Sequence, residues 1–286
     1  MTSEQSSGTS SPQTIHQIII QPSRGWTSLG LRDVWEYREL LYFTVLRDIQ
    51  GRYRQTAFGF TWLFLQPVIN VLVLSLTFGT VVKVPSDGLP YPLFSLAALL
   101  PWGYFAKAAQ RSANSLVENM QVISKVYFPR LIVPLAAVLS GLIEFAASFL
   151  ILLVAMLVYH TPLRWEILWT VPLLLVSILF ALAVGLWLAT LSAMYRDVNF
   201  AVAFMLQALM YASPVIYPVS LIPERFRLFY YLNPMTGVIE GFRWALLGSG
   251  SPPGGIFLLS VGIILLLLVS GAYIFRRTER NIVDIL

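Results

Sequence analysis

The sequence predicts an all-α integral membrane protein: six spanning helices, an amphipathic helix at the membrane interface before them, and re-entrant helices on the outer side. Three observations carry this reading. The 286 residues are 57% hydrophobic and 12% charged, whereas soluble domains carry about 25% charged residues. Six windows approach the roughly 20 apolar residues that a spanning helix needs. The cations gather at one side of those windows, as the positive-inside rule requires of a multi-pass protein.

Residues 1–30 are expected to be a disordered or extended cytoplasmic start, because the opening MTSEQSSGTSSPQT cannot bury enough apolar area to fold. It also lacks the basic start and apolar core of a secretory signal. Residues 31–286 form the predicted membrane domain. In its first segment, 33–55, Val34, Tyr37, Leu41, Val45 and Ile49 share one helical face and Glu36, Glu39, Arg47, Gln50 and Arg54 the other. That pattern predicts a helix lying in the interface. The predicted spans are 57–82, 91–110, 131–159, 168–193, 198–218 and 255–275. Pro101 and Lys107 interrupt the second, and only Tyr195-Arg196-Asp197 separates the fourth from the fifth, which predicts a helical hairpin.

Arg24, Arg32, Arg38, Arg47, Arg52 and Arg54 precede the first span, and Arg111, Lys125 and Arg130 fill the link before the third. Arg196 and then Arg276, Arg277 and Arg280 continue that side. The other side has only Lys83, Arg164, Arg225, Arg227 and Arg243, so both termini are expected in the cytoplasm. On the outer side, 219–250 is too broken to cross. Asn233-Pro234 reads as an N-cap followed by proline at the first helical position, opening a helix that stops at Gly248. Its stripe is Met235, Val238, Ile239, Phe242 and Leu246, with Glu240 and Arg243 spaced to pair.

Catalytic chemistry finds no footing here. There is no cysteine, and the two histidines, His16 and His160, are too far apart for a metal cluster. No G-x-x-x-x-G-K-[ST] phosphate loop occurs, and no Ser-His-Asp or paired-carboxylate spacing. No catalytic, cofactor-binding or metal residue is expected. The excess of Lys and Arg (19) over Asp and Glu (14) sits at the ends of apolar segments, which suits lipid headgroups rather than nucleic acid. Glu144, inside the third span, is expected to make an interhelical hydrogen bond or face a polar cavity rather than relay protons. Lys107 is close enough to the interface to snorkel and is given no role. Gln66, Pro67 and Asn70 in the first span, and Gln207, Tyr211, Ser213, Pro214 and Tyr217 in the fifth, break the apolar runs. Amides should face protein or water, and aromatic faces suit sugar rings, although helix packing and an interfacial aromatic belt also account for them.

Several stretches resemble a known family in its own order. "RDIQGRYRQTAFGFTWLFLQP" (47–67), "YPLFSLAALLPWGYFAKAAQRSANSLVEN" (91–119), "SKVYFPRLIVPLAAVLS" (124–140), "YRDVNF" (195–200) and "YLNPMTGVIEGFRW" (231–244) are similar to the permease subunit of ABC-2-type polysaccharide exporters. That group moves O-antigen, capsule and teichoic acid precursors, and the likeness runs from about residue 31 to the C-terminus. It implies the ABC-2, type V exporter-like fold in a bacterial inner membrane. It implies a homodimer with a channel on its two-fold axis and two separate ATPase subunits that bind ATP and Mg. The cargo it implies is a lipid-linked glycan entering from the cytoplasm. Spans one and five are expected around the channel, with Trp62, Gln66, Asn70, Phe204, Gln207, Tyr211 and Tyr217 lining it. Tyr230, Tyr231, Asn233, Glu240 and Arg243 are expected at an outer gate.

The coupling region to the ATPase is expected within 111–130, carried by Glu118, Lys125, Tyr127, Phe128, Pro129 and Arg130. Pro129 blocks smooth helix continuation and sets a corner. The aromatics can fill hollows on a partner, and the cations can meet its carboxylates or lipid phosphates. A basic loop with interfacial aromatics fits the same residues. The alternatives to glycan export are an exporter of another amphiphile and, from a different class, a membrane glycosyl- or acyltransferase, which would want acidic or histidine clusters that this sequence lacks.

Overall fold

The computed structural model describes residues 31–54, 58–195 and 197–279. The expectations for 1–30, for Arg196 in the predicted hairpin and for Arg280 fall outside these residues. All regular elements among the described residues are helical. They are α1 (Leu31–Glu36), α2 (Arg38–Tyr53), α3 (Trp62–Leu74), α4 (Tyr91–Glu118), α5 (Met120–Ile123), α6 (Ile132–Leu139), α7 (Leu142–Val158), α8 (Thr170–Met194), α9 (Val198–Tyr211), α10 (Glu224–Tyr231), α11 (Pro234–Leu247) and α12 (Gly255–Glu279).

Among the described residues, four helical segments are long and apolar enough to cross a membrane: Gly59–Val81, Ile132–Val158, Trp165–Met194 and Phe257–Glu279. The second and fifth predicted spans behave differently. Helix α4 runs on through the second window to Glu118, taking Lys107 and Arg111 into its body, so its length is ample but its composition is not that of a lipid-facing span. Helix α9 stops at Tyr211. Its 14 residues reach only about 21 Å, short of the ~30 Å hydrocarbon core. The rest of the fifth window, 212–218, is irregular chain.

Helix α4 is the axis of the fold. It packs against α3, α6, α7, α8, α9 and α11, and burial follows from small residues on its surface. Ala108, Ala109 and Ser112 of α4 and Ala181, Gly185 and Ala189 of α8 are all buried where the two helices pack, and Gly185 lies against Ser112, so the backbones approach closely. Gly185 is required there, because a Cβ would lie 2.6 Å from the Cβ of Ser112. The rings of Phe105 and Phe180 stack face to face between the same helices at 4.5 Å.

The predicted interface helix is two pieces, broken at Tyr37. Of the face expected to lie in the interface, Val34 is buried and Leu41 and Ile49 pack against the chain's own core, whereas Tyr37 at the break is exposed. Its outer face is less polar than the charge pattern implied, because Trp35, Tyr42 and Phe43 are exposed there. Arg276 near the end of α12 lies 3.8 Å from Asp33 of α1, so the first and last described helices meet at one end of the bundle. The opposite end is capped by α11, which is buried along nearly all its length against α4, α8 and α12. The sequence reading of α11 is correct in detail. Asn233 Oδ1 accepts from the Met235 N–H at 3.1 Å, and Gly248 closes the helix in the left-handed region at φ 71°.

Candidate functional site

The densest polar arrangement lies where α2, α4 and the α6–α7 junction meet. Lys107 and Arg111 are four residues apart and share one face of α4. The last turn of α2 supplies Arg52 and Tyr53, and the first turn of α7 supplies Glu144. Glu144 Oε1 accepts from Arg52 Nη1 at 3.0 Å, from Tyr53 Oη at 3.1 Å and from Arg111 Nη2. Its Oε2 lies 3.1 Å from Lys107 Nζ, which also donates to Gln66 Oε1 at 2.8 Å. Arg52 Nη2 donates to Ser140 Oγ at the break between α6 and α7. Three cations therefore surround one carboxylate. Burial, followed by the neighbouring Arg111, lowers Arg52 from its ordinary value, while burial pushes the Tyr53 phenol up to about 12, keeping it a donor.

This arrangement decides the expectation for Glu144 in part. It joins helices rather than standing alone, but its partners are ionic, and Lys107, given no role from the sequence, is one of them. Arg52 and Arg111 entered the sequence reading only as topology markers. For Arg111 the available signal is its i,i+4 spacing from Lys107 at the end of the predicted second span, a costly placement unless an acid faces the pair; nothing local marks Arg52. A recess of about 270 Å³ opens on the α2 side of this centre, lined by Arg47, Asp48, Arg52, Arg111, Glu118 and Asn119 among others. Arg47 donates to Asp48 Oδ1 at 2.9 Å and to Asn119 Oδ1 at 2.6 Å, tying α2 to the end of α4. A smaller pocket of about 60 Å³ lies on the other side, reached by Gln66, Asn70, Lys107 and Glu144.

The link residues separate into inward and outward groups. Phe128 is turned into the chain's own core beside Leu116, Ile132 and Phe275, so of the two aromatics only Tyr127, 75% exposed, faces outward. Arg130 is engaged with the end of α12: its N–H donates to Glu279 Oε1 at 3.3 Å and its Nη1 to the Glu279 carbonyl. Lys125 and Glu118 are exposed, and Pro129 lies in the irregular stretch 126–129 just before α6.

The first and fifth windows present their polar residues on open faces. Only 6% of the apolar window of Gly59–Val81 is buried. Trp62, Gln66 and Asn70 of α3 are exposed, as are Phe204, Gln207 and Tyr211 of α9. Tyr217 sits below α9, donating to the Tyr211 carbonyl at 2.9 Å and accepting from Tyr230 Oη at 2.8 Å. Burial, reinforced by that bond, raises the Tyr230 phenol. Asn233 Nδ2 donates to Ser213 Oγ at 2.8 Å, and the Tyr231 carbonyl accepts from Ser260 Oγ.

Arg243 is almost fully buried, 1% exposed. Its guanidinium carbon lies 3.6 Å from the centre of the Phe94 ring, and it donates to Glu240 Oε1, the Val215 carbonyl and the Phe94 carbonyl at 3.3, 3.1 and 3.4 Å. The pair expected at Glu240 and Arg243 is present, and it joins α11, α4 and the 212–218 chain.

Comparison with known proteins follows the same boundaries. The family described as ABC-2 type transporter matches residues 39–247, from α2 through α11. The chain is 29% identical over 255 residues to the O-antigen export system permease protein RfbA of Myxococcus xanthus, covering 87% of this chain and 96% of that protein. It is 27% identical to an RfbA of Klebsiella pneumoniae, covering 87% and 95%. The polysialic acid transport protein KpsM of Escherichia coli is 24% identical, covering 82% and 91%.

Proposed function

The chain belongs to the ABC-2 type transporter family, and on that premise we propose that it is the membrane-spanning permease subunit of an ATP-driven exporter carrying a lipid-linked, O-antigen-like polysaccharide out across the inner membrane. The observation that carries this is the near end-to-end likeness to O-antigen export permeases. Deleting the gene and complementing it tests the reading. The expected result is loss of the surface glycan with accumulation of its lipid-linked form inside; an unchanged surface glycan overturns it. Capsule export is the second reading, favoured by the likeness to polysialic acid transport proteins. The same assay read on capsule distinguishes the two.

ATP hydrolysis belongs, on this reading, to two copies of a separate ATPase subunit that binds ATP and Mg, because these 286 residues carry no phosphate loop. Two permease chains pair to enclose a channel, with six spans each: a second chain and the partners shield the polar face of α4, and α9 completes its crossing with the irregular 212–218 chain, tolerated where it is covered by protein. The open faces of α3 and α9, with Trp62, Gln66, Asn70, Phe204, Gln207 and Tyr211, support their assignment to the channel. Tyr217, Tyr230, Tyr231, Asn233, Glu240 and Arg243 form the outer cap around α10 and α11.

Orientation follows from charge. The end that holds α2, the 118–130 link and the end of α12 is cytoplasmic, and Tyr127, Lys125 and Glu118 are the groups that touch the ATPase. Phe128 and Arg130 act behind that face, bracing the link against α6 and α12. The chain has no cysteine, so single substitutions label cleanly. Lys125→Cys is expected to react with a membrane-impermeant maleimide only after the cell is opened, and Glu224→Cys in intact spheroplasts; the reverse pattern overturns the orientation.

A further inference from the structure

The centre around Glu144 holds more positive charge than its own carboxylate can balance. Arg52, Lys107 and Arg111 all contact Glu144. Of the other acids at the recess, Asp48 is held by Arg47, and Glu118 is exposed at the last residue of α4. Two inner positive charges are left without an acid. Arg111 Nη1 is buried and has no hydrogen-bond partner among the described residues. Cations drawn to this depth and left with a free donor need an anion with several acceptor oxygens.

The shape of the site narrows that anion. The recess of about 270 Å³ is several times the ~30 Å³ share of one water molecule. Arg111 lies about 10 Å along α4 from the exposed Glu118 that ends the helix, so the recess runs from an open helix end into the polar centre. Beyond α2 the exposed rings of Phe58, Phe60 and Trp62 continue from the centre, Phe60 stacking on Tyr53 at 5.2 Å and Phe58 on Trp62 at 5.8 Å. A soluble anion has no use for an apolar ledge, whereas an anion attached to a lipid does.

We propose that the recess between α2, α4 and the α6–α7 break binds the phosphate group of a lipid-anchored molecule, with Arg52 and Arg111, which line it, as its ligands and Glu144, which both of them contact, as the internal anion it displaces. The identity of the bound lipid as the cargo's anchor rests on the exporter reading above; the phosphate chemistry does not. Glu144 holds the two arginines together when the site is empty and yields them when the phosphate enters, keeping Lys107 as its own partner on the far side. A static ionic clamp would show the same bonds but would gain nothing from losing its carboxylate.

The test uses the full-length permease in phosphatidylcholine nanodiscs with a fluorescent polyprenyl diphosphate as probe and the matching uncharged polyprenol as control. Arg111→Gln and Arg52→Gln are each expected to weaken binding about tenfold, since each removes a charge-assisted hydrogen bond. Glu144→Gln is expected to tighten it severalfold while lowering the melting temperature, a combination that misfolding cannot produce. Phosphatidylglycerol is then added as competitor. Displacement only at large excess identifies the cargo's diphosphate anchor as the ligand; displacement at equal concentration identifies ordinary phospholipid headgroups. Either result supports the site. Binding no tighter than the polyprenol control, or unchanged in both Arg111→Gln and Glu144→Gln, overturns it. Glycan export is scored separately by complementation, so failure of the exporter reading leaves the binding result standing on its own.

Discussion

Arg243 shows how much one side chain organises at the α11 end of the bundle. Its planar fork meets Glu240 and two main-chain carbonyls while its face lies on Phe94. A lysine has one point charge and no flat face to stack, so it cannot serve this geometry. Arg243→Ala is expected to destabilise the protein by about 3–5 kcal/mol, because Glu240 would be left buried and unpaired. Arg243→Lys should recover only part of that in a detergent thermal-unfolding assay; full recovery would show that charge alone matters there. The spacing of Glu240 and Arg243 was readable in the sequence because partners at i,i+3 need only the helix. The three cations around Glu144 were not, because they come from positions 52, 107 and 111, brought together by packing.

At the level of the elements, caps and close contacts make separate predictions. Asn233→Ala removes both the N-cap of α11 and the bond to Ser213. A loss of about 1 kcal/mol is expected from the cap, and a change within error would mean that packing alone fixes the start of the helix. Gly185→Ala drives a methyl into Ser112 between α4 and α8. Overpacking of this kind costs roughly 1–3 kcal/mol, and the double substitution with Ser112→Gly should restore wild-type stability. Helix α11 was legible from its Asn-Pro start and Gly stop because those signals act within a few residues. The true length of α4 was hidden by Pro101 and Lys107, which read as interruptions but sit inside a continuous, buried helix. The end of α9 at Tyr211 was marked locally by Ser213-Pro214, since the residue before a proline is steered out of the helical region.

For the whole molecule, the link at 118–130 is tied to both α2 and α12. Arg130 holds Glu279 of α12, Arg47 holds Asn119 beside the link, and Asp33 faces Arg276. The link is thus bonded to α12 directly and to α2 through Asn119. Reversing the outward charge and removing the outward ring, as Lys125→Glu with Tyr127→Ala, is expected to cut glycan-export complementation at least severalfold while the permease stays folded. Retained export with unchanged ATPase co-purification would remove those two residues from the coupling role.

The sequence by itself determined the membrane class, the apolar windows, the topology expected from the cations and the membership in a transporter family, because each of these rests on composition and local order. Only the tertiary structure decided that Lys107, Arg52, Arg111 and Glu144 form one centre, that Phe128 faces inward and that Arg243 is buried beneath the cap. Those outcomes depend on which helix faces meet. Helix α4, nearly buried all round, can turn its cations inward only because α2 and α7 bring a tyrosine and a carboxylate to the same point.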